Sequence, residues 1–203
     1  AQEGAKLLEY IMYQEFDKAK DLVRSGVDVN YQDESYGSTA LMLACQYNFV
    51  DMAEFLIEHG ADLNLQAKNG WTALMAAAYG SEEVFDLLLS KGADVKLKDE
   101  DGTTVFTHAC IGVINEGLSL AVVQTLLDKG AGVDEAPDSG PAEGYTCLMV
   151  AARNHHPELV KLLVENGADV NKKAKDGQSA LSLAKEENDE EMVKLLRSLG
   201  ARE

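Results

Sequence analysis

The sequence predicts an all-α solenoid of helix–turn–helix units joined by hairpin fingers, with six helix pairs including both caps. Three observations predict it. First, Gly-x-Thr/Ser leading into a short Ala-containing segment occurs five times, at Gly37, Gly70, Gly102, Gly144 and Gly177; these glycines stand 33, 32, 42 and 33 residues apart. A period near that length marks stacked units, each too small to bury its own apolar face. Second, Gly-Ala-Asp-Val-Asn or a close relative begins at Gly26, Gly60, Gly92, Gly130 and Gly167, and a truncated copy, Gly200-Ala201, ends the sequence. Third, the two markers keep a fixed phase, and each copy of the second follows an apolar pair such as Leu56-Ile57 or Leu88-Leu89.

The elements follow in order. The N-terminal cap, about 5–30, has no finger before it, and Lys6, Glu9, Asp17, Lys18 and Lys20 make its helices polar, as an end unit with one neighbour requires. Internal repeats occupy about 31–64, 65–96, 97–134 and 135–171, and the C-terminal cap spans 172–203. All of it reads as one domain. In each repeat Thr39, Thr72, Thr104, Thr146 or Ser179 stands at a helix N-cap, where a hydroxyl accepts from an otherwise orphaned backbone N–H. The glycine two places earlier suits a turn with positive φ. A short inner helix rich in Ala follows, then an outer helix with apolar residues at helical spacing, as in Met52, Phe55 and Leu56. Gly60 and its equivalents end the outer helix in a left-handed cap.

These motifs make the chain resemble the ankyrin repeat family, whose pattern Gly-x-Thr-Pro-Leu-His-x-Ala…Leu-Leu-x-x-Gly-Ala-Asp-Val-Asn covers almost all of it. The sequence departs from that pattern in two slots. The family's Pro is Ala40, Ala73, Val105, Cys147 and Ala180; its His is Met42, Met75, Thr107, Met149 and Ser182. Hydrogen bonding through that His is therefore absent, and methionine packing is expected to replace it.

Composition excludes several function classes. Lys and Arg number 18 against 35 Asp and Glu, a net charge of −17. That disfavours nucleic acid and anionic membrane surfaces, and no apolar run approaches a membrane span. A basic partner, or solubility alone, are the two readings of the acidity. Cys45, Cys110 and Cys147 fall in small-residue helix slots and read as core rather than as a disulfide framework. Ala1 stands where Met is usual, which suits either a processed terminus after bacterial export or a cytosolic chain with a trimmed end.

No catalytic, cofactor or metal site is expected. His155-His156 is the one adjacent histidine pair, and no Cys or carboxylate lies at zinc-ligand spacing from it. His156 precedes Pro157, which suits a helix start. Ser25, Ser81, Ser90 and Ser198 have no neighbouring base signature, and neither a nucleophile elbow nor a phosphate loop is present.

The resemblance implies a concave face, formed by fingers and inner helices, that binds proteins. Aromatic residues fill its variable slots: Tyr36 before the turn glycine, Trp71 and Tyr145 after it, and Tyr47 and Tyr79 closing inner helices. Either they contact a partner or they stack on neighbouring fingers. Acidic residues border them, with Asp33, Glu34, Asp99, Glu100 and Asp101 in the fingers.

The 42-residue step carries two insertions. Ala109 to Gly130 is 21 residues against 16 from Ala44 to Gly60, placing extra residues between the two helices, within 111–118. Gly130 to Gly144 is 14 against 10 from Gly60 to Gly70, lengthening the next finger, 134–143. That finger carries Asp134, Glu135, Asp138 and Glu143, is stiffened by Pro137 and Pro141, and is the favoured partner contact of the two insertions. The reading is a monomer that binds a basic protein, either masking an enzyme such as a secreted hydrolase or serving as an adaptor.

Overall fold

The inner and outer helices alternate along the chain as the repeat demands. A computed structural model describes residues 2–203; Ala1, the candidate processed terminus, lies outside the described residues. Twelve α-helices in six pairs are present among them: α1 Gln2–Met12 with α2 Phe16–Arg24, α3 Ala40–Gln46 with α4 Val50–Glu58, α5 Ala73–Ala77 with α6 Glu82–Ser90, α7 Val105–Ile114 with α8 Leu120–Asp128, α9 Cys147–Arg153 with α10 Pro157–Glu165, and α11 Ala180–Glu186 with α12 Glu190–Ser198. No strand forms among the described residues, and one isolated bridge, Lys173 to Ser179, marks a finger. The first helix starts at Gln2, ahead of the expected cap boundary.

The chain divides into two compact units. The first is residues 1–100 and the second 101–203. In the first unit α1 packs on α3 and α3 on α5, with the outer helices behind them. Leu41, Met42, Ala44 and Cys45 of α3 are buried, as are Leu74, Met75 and Ala77 of α5. In the second unit α7 packs on α9 and α9 on α11. Small Ala and Cys side chains at these contacts let the inner helices approach closely.

Helix starts confirm the local chemistry with one exception. Met42, Met75 and Met149 backbone N–H groups donate to Thr39, Thr72 and Thr146 Oγ1 at 3.2, 3.2 and 3.3 Å. The three methionine side chains are buried, filling the slot that the family gives to His. Ser179 and Ser182 cap reciprocally. Thr104, expected as a cap, does not act as one. Its hydroxyl instead donates to the carboxylate of Glu135 in the lengthened finger. Three residues on, Thr107 occupies the His slot with a buried hydroxyl that has no hydrogen-bond partner among the described residues.

The helix–helix insertion is largely helix rather than loop. Inner helix α7 has ten residues where α3, α9 and α11 have seven and α5 has five. Gly112 and Val113 are buried in its extra turn, so the added residues extend the apolar face. The remaining connection is 115–119, with Glu116 at φ 65°.

Fingers within a unit are held by amide ladders. Asp62 N–H donates to Asn30 Oδ1 at 2.8 Å, and Asp94 N–H to Asn64 Oδ1 at 2.9 Å. Gln32 Nε2 donates to both Gly37 O and Gln66 O at 2.9 Å. Gln66 Nε2 repeats this one finger later, to Gly70 O at 2.9 Å and Lys98 O at 2.8 Å. The Asn of the second sequence marker and the Gln two residues after it are thus spacers of the fingers.

A groove of aromatic side chains in the first unit

Gly70 determines how two fingers meet. Its φ is +84°, and a Cβ added there would lie 2.7 Å from Asp99 Cα and 2.8 Å from Glu100 N. Only glycine tolerates both the backbone conformation and the approach. The third finger therefore closes on the second, and Glu100 N–H donates to Asn69 O at 2.9 Å. This places Asp99 and Glu100 beside Trp71.

Trp71 is half-buried. Its ring stacks on Tyr79 with centroids 5.4 Å apart and planes 19° from parallel. The two rings form a shelf, and Tyr79 keeps much of its surface exposed. Partial burial, then the nearby Asp99 carboxylate, push the Tyr79 pKa up to about 12. Tyr47 is held by Phe49, at 5.9 Å, which in turn meets Phe16 edge-on at 5.0 Å. Tyr36 sits on the first finger, whose turn is wrapped around Asp33. The Asp33 carboxylate accepts from the backbone N–H groups of Ser35, Tyr36 and Ser38, the last at 2.6 Å.

Tyr36, Tyr47, Trp71, Tyr79 and Glu100 line one groove of about 1120 Å³. Two residues missed by the sequence reading join them: Met12 and Tyr13, at the turn between α1 and α2. Their signal was available. Met12 ends α1 and Tyr13 follows it as Tyr47 follows α3, and each turn then has a positive-φ residue, Gln14 and Asn48. Among the described residues the exposed large apolar side chains are Met12, Tyr13, Tyr36, Tyr47 and Tyr79, from 43% to 74% exposed, and all five line this groove. Glu9 and Lys68 complete its charged margin; the Lys68 ammonium donates to the carbonyl of Glu34.

Tyr145, Asp101, Asp134, Glu135, Asp138 and Glu143 belong to the second unit, and there the named contacts are internal. Tyr145 donates its hydroxyl to Asp176 Oδ2 at 2.6 Å, which holds the Asp176 carboxyl below its ordinary value. Asp134 accepts from Asp169 N–H at 3.2 Å, and Glu143 pairs with Lys175 at 2.9 Å. Asp138 N–H donates to Asp101 O at 2.9 Å. Glu135 accepts from Gly132 N–H at 2.7 Å as well as from Thr104. Pro137 is buried. The lengthened finger is a packed part of its unit.

The histidines and cysteines have structural surroundings. His156 Nδ1 caps α10 by accepting Leu159 N–H at 3.2 Å. His155 Nδ1 is 2.7 Å from Asp189 Oδ2, and this contact holds the Asp189 carboxyl below its ordinary value. All three cysteines are free and buried. Burial pushes the Cys45 thiol up to about 12, and burial followed by the neighbouring Cys147 pushes up that of Cys110. Among the described residues no three potential ligands gather at a metal-binding spacing, and no helix is long and apolar enough to cross a membrane.

Comparison with known proteins covers most of the chain. The family profile described as Ankyrin repeats (3 copies) matches residues 7–99 and 108–202. Palmitoyltransferase AKR1 of Lachancea kluyveri is 31% identical over 168 residues, covering 82% of this chain and 22% of the relative. Ankyrin repeat and SOCS box protein 6 of Pongo abelii is 31% identical over 167 residues, covering 79% and 30%. Ankyrin repeat and KH domain-containing protein mask of Drosophila melanogaster is 36% identical over 150 residues, covering 74% and 3%. The chain spans less than a third of each of these relatives. All three are eukaryotic and lend no support to a bacterial source.

Proposed function

Because this chain belongs to the ankyrin repeat family, whose repeats are generally non-catalytic protein–protein interaction modules, we propose that it binds a protein partner through the aromatic groove of its first unit. One observation carries the reading: the exposed large apolar side chains of the described residues are gathered in that one groove. Contiguous exposed apolar surface marks interaction sites, and aromatic anchors dominate their energetics. The partner presents a basic surface. The chain's net charge of −17 would speed its encounter. In this proposal the chain acts as a monomer, without a cofactor. It either masks a partner enzyme such as a hydrolase or tethers its partner as an adaptor. The activity of the recovered partner, with and without this chain, separates the two.

The experiment is affinity capture at low salt, followed by titration of the recovered partner. Joint replacement of Tyr36→Ala and Tyr47→Ala is expected to weaken binding by about 30-fold or more, as loss of an anchor worth about 2 kcal/mol does. Tyr145→Ala, whose hydroxyl is engaged by Asp176, is expected to change it little. Unchanged affinity of the double variant, with its helical circular dichroism intact, would remove the groove from consideration.

A further inference from the structure

The groove's charges are arranged as well as its rings. Glu9 stands on α1, at one margin of the groove. Glu100 stands on the third finger, past α5, at the other. Both are exposed, and among the described residues neither carboxylate has an ion-pair partner. The other charges of the lining are already engaged. Asp33 is surrounded by three backbone N–H groups, and Lys68 is bound to a carbonyl. Between Glu9 and Glu100 the groove is aromatic.

We propose that the groove takes an extended peptide segment with an apolar centre and a Lys or Arg at each end, the apolar centre on Tyr36, Tyr47 and the Trp71–Tyr79 shelf and the two cations against Glu9 and Glu100. This rests on the groove being the binding face. It goes further by naming the occupant and its spacing. From α1 to α5 is two helix-packing steps, about 16–20 Å at the usual interaxial distance, and Glu100 lies past α5. An extended chain rises about 3.3 Å per residue, so the two cations stand at least about five residues apart. A flat aromatic shelf beside a carboxylate also favours a guanidinium, which stacks on ring faces while its N–H groups meet the oxygen atoms.

Trp71 is the sole tryptophan of the chain, so its emission reports this groove. The probes are synthetic peptides with a leucine and alanine centre and two arginines, spaced two, five or six positions apart, each titrated against Trp71 fluorescence. The five- and six-position peptides are expected to bind most tightly. Replacing either arginine with neutral citrulline should weaken them about two- to fivefold, the effect of losing one solvent-exposed charge pair. Glu9→Gln should abolish the penalty of one citrulline and Glu100→Gln that of the other. Raised salt should reduce the arginine effect. Equal binding of citrulline and arginine peptides overturns the proposal, as does a failure of every arginine peptide to shift Trp71 emission. Neither result bears on the groove as an interface, which stands or falls on the Tyr36 and Tyr47 double variant with the natural partner.

Discussion

The two units are built from the same repeat and use its variable positions in opposite ways. In the first, Tyr36, Tyr47 and Tyr79 are exposed and share a groove with Met12 and Tyr13. In the second, no large apolar side chain is exposed among the described residues, and Tyr145, in the slot that holds Trp71 in the first, spends its hydroxyl on Asp176. Charge follows the same division. Glu9 and Glu100 stand open, whereas Asp134, Glu135 and Glu143 hold backbone or lysine partners. The difference teaches that a variable position is not a site in itself. A side chain there becomes available to a partner only where its own neighbours leave it unsatisfied or uncovered.

Three substitutions break or sharpen this contrast. The largest effect is expected from Gly70→Ala, which forces a Cβ into the Asp99 and Glu100 backbone at a φ of +84°. A loss of about 2–3 kcal/mol is expected by denaturant unfolding, together with a weakened groove, because the third finger can no longer close. Glu135→Ala should cost about 1–2 kcal/mol, since it leaves the Thr104 hydroxyl and the Gly132 N–H without their acceptor. Partner affinity should stay unchanged in that variant, and a loss of binding would mean the lengthened finger is part of the interface after all. The smallest effect runs the other way. Thr107→Val removes a buried hydroxyl that has no partner among the described residues while keeping the side chain's shape. A gain of about 1 kcal/mol is expected by thermal or denaturant unfolding.

Much of the fold was legible beforehand because its determinants are local. A hydroxyl before a helix, a glycine with positive φ after one, and apolar residues at helical spacing act over a single turn of chain. Thr39, Thr72, Thr146 and Ser179 do what their positions imply. Thr104 does not, and its hydroxyl donates to Glu135, 31 residues away. The extra residues at 111–118 were counted correctly and placed in a loop, yet most continue α7, since Val113 and Gly112 could be buried there. The aromatic residues were found by slot. Met12 and Tyr13 were missed because neither repeat marker stands ahead of α1 in the sequence to set its register.

By itself, the sequence determined the repeat, the number of helix pairs and which glycines turn the chain, because each follows from chemistry within one unit. Which charges are open was decided by tertiary structure alone. Glu100 and Glu135 are the same residue type in successive fingers. One lies exposed beside an aromatic shelf, and the other is held by a threonine and a backbone N–H. That distinction depends on partners distant in sequence, and only the folded chain brings them within reach.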